Sequence, residues 1–201
     1  AQEKVLDEFE TLDGWKTFAS DGVETQKASD AGVSGKAIRI DVEYKTGAGY
    51  GGVIKSFPIS LPGNYQFSFY VRAEMSINNF EIKFSDTTGN IVWWMNKRNF
   101  TFPTKWKKIT IKKRHIEFAW GPSSAPLTQL GHIEFTITAG TGGKGSVYID
   151  HLTFEKLDDE DTTFPPLEAT ASSSASKRTS ASNAIDNSVT TLWQSKGSAQ
   201  P

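Results

Sequence analysis

Hydrophobic and polar residues alternate along most of the chain. Residues 4–156 form a succession of short alternating runs broken by Gly, Pro, Asn and Asp, with no convincing helical period. Successive side chains of a strand point to opposite faces, so each run predicts a strand with one face in a core. Many short strands between turn residues are typical of an all-β, two-sheet sandwich. The predicted strands are residues 5–10, 36–43, 52–57, 64–72, 79–85, 90–96, 107–112, 115–119, 132–139 and 146–155.

Two adjacent tryptophans, Trp93 and Trp94, occupy one of these strands and therefore cannot share a face. The segment "FSDTTGNIVWW" predicts a hairpin with its turn at residues 86–89. Pairing that begins beside this turn places Glu81 opposite Trp94 and puts Trp93 among core residues. Trp94 is then the outward indole, on the same face as Glu81 and Lys83.

An outward indole suits the apolar C–H face of a sugar ring, and nearby charged groups suit its hydroxyls. Trp94, Glu81 and Lys83 are therefore candidate carbohydrate-binding residues. Arg72 joins them if the strand at 64–72 lies beside the hairpin. The alternative is that a loop of the protein covers Trp94.

The segment "RHIEFAWGPSSAP" carries Arg114 and Trp120 into a loop broken by proline. Loops at the margin of a sheet commonly hold binding residues, so both are further candidates. The alternative for Trp120 is an indole that anchors the loop.

Composition removes several classes of function. The 22 Lys and Arg residues balance 23 Asp and Glu residues, so there is no basic field to attract nucleic acid or an acidic membrane. No apolar run approaches the ~18 residues of a membrane span. The absence of cysteine excludes disulfides, thiolate metal sites and cysteine nucleophiles. The chain begins as a processed secreted protein does, and we expect an extracellular or periplasmic location.

No catalytic motif stands out. The glycine runs "GAGYGG" and "GTGGKGS" resemble nucleotide-binding loops, but neither leads into a helix. The three histidines lack metal spacing, and nothing in the order of residues supports a Ser/His/Asp arrangement. Carboxylate pairs for glycoside hydrolysis depend on distances in the fold. We therefore predict no enzymatic activity.

Two carboxylates suggest a metal site. Glu10 lies in the first predicted strand and Asp150 in the last. In sandwiches whose terminal strands lie side by side, two such carboxylates and loop carbonyls form an oxygen-rich pocket suited to calcium. The alternative is two solvated acids.

Several segments together resemble family-eleven carbohydrate-binding modules and related β-jelly rolls. They are "EKVLDEFETLDGWKTF", "GVSGKAIRIDVEY", the "GYGG" turn, "TKWKKITI" and "IEFTITAGTGGKGSVYIDHLTF", and the likeness spans about residues 3–156. The resemblance implies a jelly roll that binds linear β-1,4 and mixed β-1,3-1,4 glucans along one sheet and holds structural calcium.

The resemblance also implies roles for particular residues. Phe18 and Tyr50 match aromatic positions of the family's binding cleft, Ser56 matches a polar position, and Trp120 falls near a further aromatic position. Glu10 and Asp150 correspond to acids that hold calcium in related jelly rolls. Two positions depart from the pattern, because Ile137 replaces an aromatic residue and Ala48 replaces an acid.

The C-terminal part differs in composition. Residues 158–168 read as an acidic, proline-containing linker, and residues 169–201 begin with a Ser/Ala-rich run that favours disorder when read alone. The tail is similar to the start of discoidin (factor 5/8 type C) domains, at Ala171, Ser172, Ser173, Ala184, Ile185, Asp186, Thr191, Trp193, Gln194 and Ser195. About 35 residues cannot close such a core, so we expect Ile185 and Trp193 to stay unburied by this segment.

These observations lead to one main hypothesis and two alternatives. A jelly-roll module at residues 1–157 holds a polysaccharide, such as a β-glucan or a related plant or algal glycan, for the catalytic domain of a larger secreted protein with a discoidin domain. The first alternative is a spacer that binds no sugar, with Trp94 and Trp120 covered and no groove on the sheet. The second is a jelly-roll lyase or hydrolase, with acid, base and Arg or Tyr groups gathered in a groove.

Overall fold

A computed structural model of the chain describes residues 3–159, 168–185 and 192–196. The chain divides into two units, residues 1–159 and residues 160–201. The first unit contains twelve strands in two antiparallel six-stranded sheets, numbered here in chain order. Sheet A consists of β1 (Glu3–Asp7), β3 (Val23–Ala31), β4 (Lys36–Tyr44), β6 (Tyr65–Glu74), β9 (Lys107–Lys112) and β12 (Lys144–Lys156). Sheet B consists of β2 (Lys16–Ala19), β5 (Tyr50–Ser60), β7 (Asn78–Ser85), β8 (Val92–Phe100), β10 (Glu117–Trp120) and β11 (Gln129–Thr138).

The strand order explains which residues become neighbours. Sheet B runs β10-β8-β7-β11-β5-β2, and sheet A runs β3-β4-β12-β6-β9 with β1 also paired to β12. β11 is inserted between β5 and β7, far from both in sequence, whereas the consecutive strands β6 and β7 lie in different sheets. The predicted two-sheet sandwich of jelly-roll type is confirmed.

Two strands escaped prediction from the sequence. β3 has the sequence VETQKASDA, which carries few apolar residues, and it is an edge strand that pairs only with β4. An edge strand buries little side-chain surface, so its pattern is weak. β2 is four residues long and lies at the edge of sheet B.

Aromatic rings from both sheets fill the space between them. Phe67 of sheet A stacks on Phe84 of sheet B at 4.8 Å between ring centroids, and Phe69 meets Phe135 edge-on at 5.0 Å. These rings are almost fully buried. Full burial of each such side chain contributes about 1.5 to 3 kcal/mol, so this contact between sheets dominates the stability of the sandwich.

The predicted hairpin is present, with a different register. β7 and β8 flank a turn in which the Asp86 carboxylate accepts hydrogen bonds from the Ile91 N–H (3.0 Å) and the Thr88 hydroxyl (2.6 Å). Lys83, rather than Glu81, lies opposite Trp94. The register differs from the predicted one by two residues, and an even shift leaves every side chain on its predicted face.

The second unit is described at residues 168–185 and 192–196. This segment, read alone, was predicted to be disordered. In the structure it contains 3-10 turns at Lys177–Thr179 and Ala181–Ala184. The Asn183 side chain donates hydrogen bonds to the carbonyls of Arg178 (2.8 Å) and Leu192 (3.0 Å). Ile185 and Trp193 are 38% and 45% exposed. Asp186 and Thr191 lie outside the described residues, as does most of the predicted linker.

None of the helical segments within the described residues is long and apolar enough to cross a membrane.

One buried side chain holds the loop between β11 and β12. The Asn78 carboxamide oxygen accepts hydrogen bonds from the N–H groups of Gly140 (2.8 Å) and Gly142 (2.9 Å), and its nitrogen donates to the Gly142 carbonyl (3.2 Å). Asn78 is fully buried.

We expect Asn78→Ala to lower the free energy of unfolding by about 2 kcal/mol or more, because it leaves buried N–H groups without an acceptor. Urea denaturation measures this change. The matched control is Asn90→Ala in the exposed turn of the β7–β8 hairpin, which should change stability by less than about 0.5 kcal/mol. Equal effects of the two substitutions would contradict the assignment.

Candidate functional site

Three neighbouring strands of sheet B assemble a polar surface on its outer face. In β11, Ile133, Phe135 and Ile137 point into the core, so the residues between them point outward. Strand pairing then aligns two rows across the sheet. One row is Glu134, Lys83 and Trp94, and the other is Thr136, Glu81 and Asn96.

Lys83 lies at the centre of this surface. Its ammonium nitrogen is 3.4 Å from Glu81 Oε2 and 3.6 Å from Glu134 Oε2. Lys83 and Glu81 are 8% and 7% exposed, which is unusual for charged residues. We call Glu81, Lys83 and Glu134 the charged triad. With two carboxylates and one ammonium group, its formal charge is −1.

Three aromatic rings surround the triad. The Lys83 ammonium nitrogen lies 5.5 Å from the centroid of Trp120, 5.7 Å from that of Tyr50 and 6.0 Å from that of Phe18, within the range of cation–π attraction. Trp120 and Tyr50 are 46% and 45% exposed. Together with the triad and Thr138, these three rings line an open groove of about 450 Å³, which we call the sheet B groove.

Trp94 lies on the predicted outer face, but it is not among the residues that line the groove. Its ring packs edge-on against Trp120 at 5.7 Å between centroids, with 88° between the ring planes. Trp93 points to the other face, as predicted, and contacts Phe118 at 5.6 Å. The indole presented to the groove is therefore that of Trp120, and Trp94 supports it from the side.

Two polar side chains beside Glu81 have buried atoms that lack partners. Among the described residues, the Thr136 hydroxyl and the Asn96 carboxamide oxygen are buried without a hydrogen bond. Both residues flank Glu81 in the same row. Unpartnered buried polar atoms are costly, so each one in a native structure calls for an explanation.

Arg72 is not part of this surface. Its prediction assumed that β6 and β7 are neighbours, and that assumption is wrong because β6 belongs to sheet A. The Arg72 guanidinium carbon lies 3.6 Å from the ring centroid of Tyr148 and 5.3 Å from that of Trp106. Stacking between these rings gives it a structural position on the other sheet.

Two other predicted residues do not line the groove. Arg114 is exposed in the 3-10 turn Lys113–His115, which precedes β10. Ser56 lies on β5 opposite His132, and its hydroxyl donates to the Gly131 carbonyl at 3.2 Å. The structure thus brings together Phe18, Tyr50, Glu81, Lys83 and Trp120 of the predicted site.

Sequence reasoning missed Glu134 and Thr138. The segment "IEFTIT" alternates strictly, so it marks both residues as outward-facing, but nothing local indicates that β11 lies beside β7. The departure from the family pattern at Ile137 concerns the core rather than the groove. Ile137 is fully buried, so a larger residue there would enter the core rather than the groove.

The candidate metal ligands Glu10 and Asp150 contact one turn between β3 and β4. Asp150 Oδ2 accepts hydrogen bonds from the N–H groups of Val33 (2.7 Å) and Ser34 (3.4 Å), and Glu10 Oε1 accepts one from the Lys36 N–H (3.0 Å). β1 and β12 are paired, as the argument for this site required. Glu10 itself lies after β1 rather than within it.

The surroundings of Asp150 test whether calcium fits here. Asp150 is 1% exposed, and neither it nor Glu10 has an ion pair with a cationic side chain among the described residues. Burial raises the pKa of the Asp150 carboxyl, although main-chain N–H donors oppose this effect. Gly32 has no side chain, and this leaves space next to two oxygens. A Cβ at that position would lie within 2.7 Å of both the Asp150 carboxylate and the Lys36 carbonyl.

These oxygens are of the kind that calcium prefers, and a buried carboxylate without a cation gains from one. Among the described residues, no three His, Cys, Asp or Glu side chains are grouped to hold a metal. Glu10 and Asp150 therefore fit calcium only together with main-chain carbonyls of the turn.

Comparisons with known proteins were made by sequence and by structure. No protein-family profile and no curated protein sequence matches the chain. Its fold is similar to the family 11 carbohydrate-binding module of the cellulosomal cellulase Lic26A-Cel5E of Clostridium thermocellum, with a TM-score of 0.62 and 18% identity over 78% of this chain and 95% of that one.

Two further structures have similar folds. One is a family 11 module from Clostridium thermocellum in complex with a β-1,3-1,4-mixed-linked tetrasaccharide, with a TM-score of 0.62 and 18% identity over 76% of this chain and 94% of that one. The other is a structure of promiscuous carbohydrate-binding modules of the β-sandwich superfamily, with a TM-score of 0.55 and 14% identity over 77% and 62%. At these identities the likeness establishes the fold, which is a β-sandwich of the kind found in carbohydrate-binding modules.

We expect Lys83→Met to lower the free energy of unfolding by about 3 kcal/mol, because it leaves the buried Glu81 and the partly buried Glu134 without their shared cation. Urea denaturation measures the loss. The control is Lys144→Met, which removes an exposed ammonium group from sheet A and should cost less than about 1 kcal/mol. A Lys83 variant as stable as this control would show that the triad is more hydrated than its burial indicates.

Proposed function

We propose that the chain is a non-catalytic carbohydrate-binding module that holds a polysaccharide in the sheet B groove. The observation that carries this proposal is the juxtaposition of exposed aromatic rings with buried charged groups in one open groove. Trp120 and Tyr50 offer apolar faces, while Glu81 and Glu134 offer hydrogen-bond acceptors between them. Sugar rings need both kinds of contact at once, because one side of the ring is apolar and its edge carries hydroxyls.

The occupant we propose is a β-glucan or a related plant or algal glycan. The likeness in fold to a module in complex with a β-1,3-1,4-mixed-linked tetrasaccharide supports this choice. An open groove accepts internal stretches of a long chain, since it does not require a chain end. A few stacked rings and solvated hydrogen bonds leave a modest surplus over the entropy lost, so we expect weak to moderate affinity.

The biological role we propose is to keep a catalytic domain close to its polymer. A tethered module raises the effective concentration of the substrate without performing chemistry. This proposal places the module in a larger secreted protein, with a discoidin-like domain after the linker and a catalytic domain elsewhere. The likeness in fold to a module of a cellulosomal cellulase supports the attachment to a catalytic domain.

The two alternatives have less support. A spacer was expected to cover Trp94 and Trp120 and to lack a groove, whereas Trp120 is 46% exposed beside one. A hydrolase would use Glu81 and Glu134 as its carboxylate pair. Both are ion-paired to the same ammonium group, at 3.4 Å and 3.6 Å, so the acid and the base of a hydrolase would have to share one cation. Release of reducing sugar by the purified chain would favour the hydrolase.

We further propose a structural calcium ion held by Glu10, Asp150 and main-chain carbonyls of residues 32–36. The buried, cation-poor carboxylate of Asp150 supports this site. The ion would link the end of β1, the turn between β3 and β4, and β12. It would stabilise the edge of the sandwich and take no part in contacts with sugar.

We expect Trp120→Ala to weaken binding to mixed-linkage β-glucan by roughly thirtyfold, equivalent to about 2 kcal/mol, because it removes a stacking platform. Affinity gel electrophoresis of the 201-residue chain measures the dissociation constant, after a glycan array has identified the preferred polymer. The matched control is Phe118→Ala, which removes a partly exposed aromatic ring from the same strand. A register irregularity between Phe118 and Trp120 places the Phe118 ring on the opposite face, beside Trp93. Unchanged binding by the Trp120 variant would remove the proposed site.

We expect calcium to raise the midpoint of thermal unfolding and a chelator to lower it. At about a hundred times the dissociation constant, a ligand specific to the folded state adds about 2.7 kcal/mol. The Asp150→Asn variant should lose this response, whereas Asp13→Asn, at an exposed carboxylate outside the site, should keep it. An identical midpoint with calcium and with chelator would exclude the metal.

A further inference from the structure

We propose that the charged triad is the specificity-determining centre of the sheet B groove, and that it admits neutral sugars while rejecting glycans that carry carboxylate or sulfate groups. This inference rests on the proposed function and concerns the charge of the glycan rather than its linkage.

The residues that line the groove carry a net negative charge. Lys83 is the one cation among the described residues that line it, and Glu81 and Glu134 outnumber it. The Glu81, Lys83 and Glu134 side chains are only 9%, 10% and 20% exposed, so solvent and salt screen them weakly. An anionic ligand above this floor therefore meets a net negative charge at short range, and such juxtaposition of like charges costs several kcal/mol.

Hydrogen-bond acceptors of the charged triad await donors from a ligand. The two carboxylates accept hydrogen bonds and donate none, and the Lys83 ammonium nitrogen lies 3.4 Å and 3.6 Å from them. A ligand that satisfies this floor has to donate. Sugar hydroxyls both donate and accept, whereas a uronate or sulfate group can only accept. An acidic group at this position would leave the remaining acceptor positions of the two carboxylates without donors.

Lys83 is already ion-paired within the protein. Its ammonium group lies between two carboxylates and within 6.0 Å of three aromatic centroids. An acidic sugar that approached Lys83 would share its single positive charge with two carboxylates that already outweigh it. Pairing the groove's cation with the protein's own acids therefore removes it as an attraction for acidic glycans.

The charged triad contributes little to the net stability of the fold. Buried ion pairs add little to stability compared with well-packed apolar residues, and the unpartnered Thr136 and Asn96 atoms beside Glu81 add cost. Proteins tolerate such local costs mainly at functional sites. The triad is thus better explained as a device for recognition than as a means of joining strands.

The experiment compares two polymers that have the same backbone and differ in charge. Hydroxyethylcellulose is neutral and carboxymethylcellulose is anionic, and both carry substituents on a β-1,4-glucan. Affinity gels at about 0.01 M ionic strength, where the Debye length is about 30 Å, give the dissociation constants of the 201-residue chain for each polymer. We expect the chain to prefer the neutral polymer by at least about tenfold.

Removing one triad carboxylate should narrow that preference. Glu134→Gln keeps the shape of the side chain and brings the formal charge of the triad to zero, so the ratio of the two constants should fall at least about threefold. Glu81→Gln is the second variant if the first does not fold, as judged by thermal melting. The control is Glu24→Gln, which removes an equal charge from an exposed position on sheet A and should leave the ratio unchanged.

The outcomes separate the two proposals. Equal binding of both polymers by the unaltered chain, or the same ratio in the Glu134 and Glu24 variants, would overturn the inference and leave the proposed function standing. Binding of neither polymer, together with no binding to mixed-linkage β-glucan or to any polymer of the glycan array, would overturn both. A neutral preference that falls in the triad variants but persists in the control would support the inference.

Discussion

The groove depends on the two-residue period of the strand, applied to three strands that pair side by side. Because β7 lies between β8 and β11, the outward side chains of all three strands fall into rows. These rows place Lys83 between two carboxylates from different strands. The same alternation sends Phe84, Ile82 and Phe135 into the core. Core and site are therefore two faces of one arrangement.

Burial makes the charged groups in the groove more consequential than their number indicates. The chain as a whole has a net charge of −1, and most of the ion pairs among its described residues are partly exposed. Exposed pairs contribute little because water and salt screen them. Glu81 and Lys83, almost fully buried beneath the aromatic rings, act in a less polar medium where each charge reaches further. A small local charge can then decide between ligands that the overall charge does not distinguish.

The aromatic residues divide the work between exposure and support. Trp120 and Tyr50 lie open to solvent on either side of Lys83, where a ligand can stack on them. Trp94 lies on the same face but packs against the side of Trp120, which limits the motion of that indole. A platform held in place before binding loses less entropy when a sugar settles on it.

The sequence by itself determined the class of fold and the faces of Lys83, Glu81 and Trp94 in the β7–β8 hairpin, because alternation is a local property of the backbone. Trp120 was a candidate from its loop segment and from the family resemblance. The wrong register of the β7–β8 hairpin did no harm, since an even shift preserves faces. Only the tertiary structure decided that β11 inserts beside β7, which brought in Glu134, and that β6 lies in the other sheet, which removed Arg72. Which strands become neighbours depends on long-range packing between residues far apart in the chain, and no local pattern encodes it.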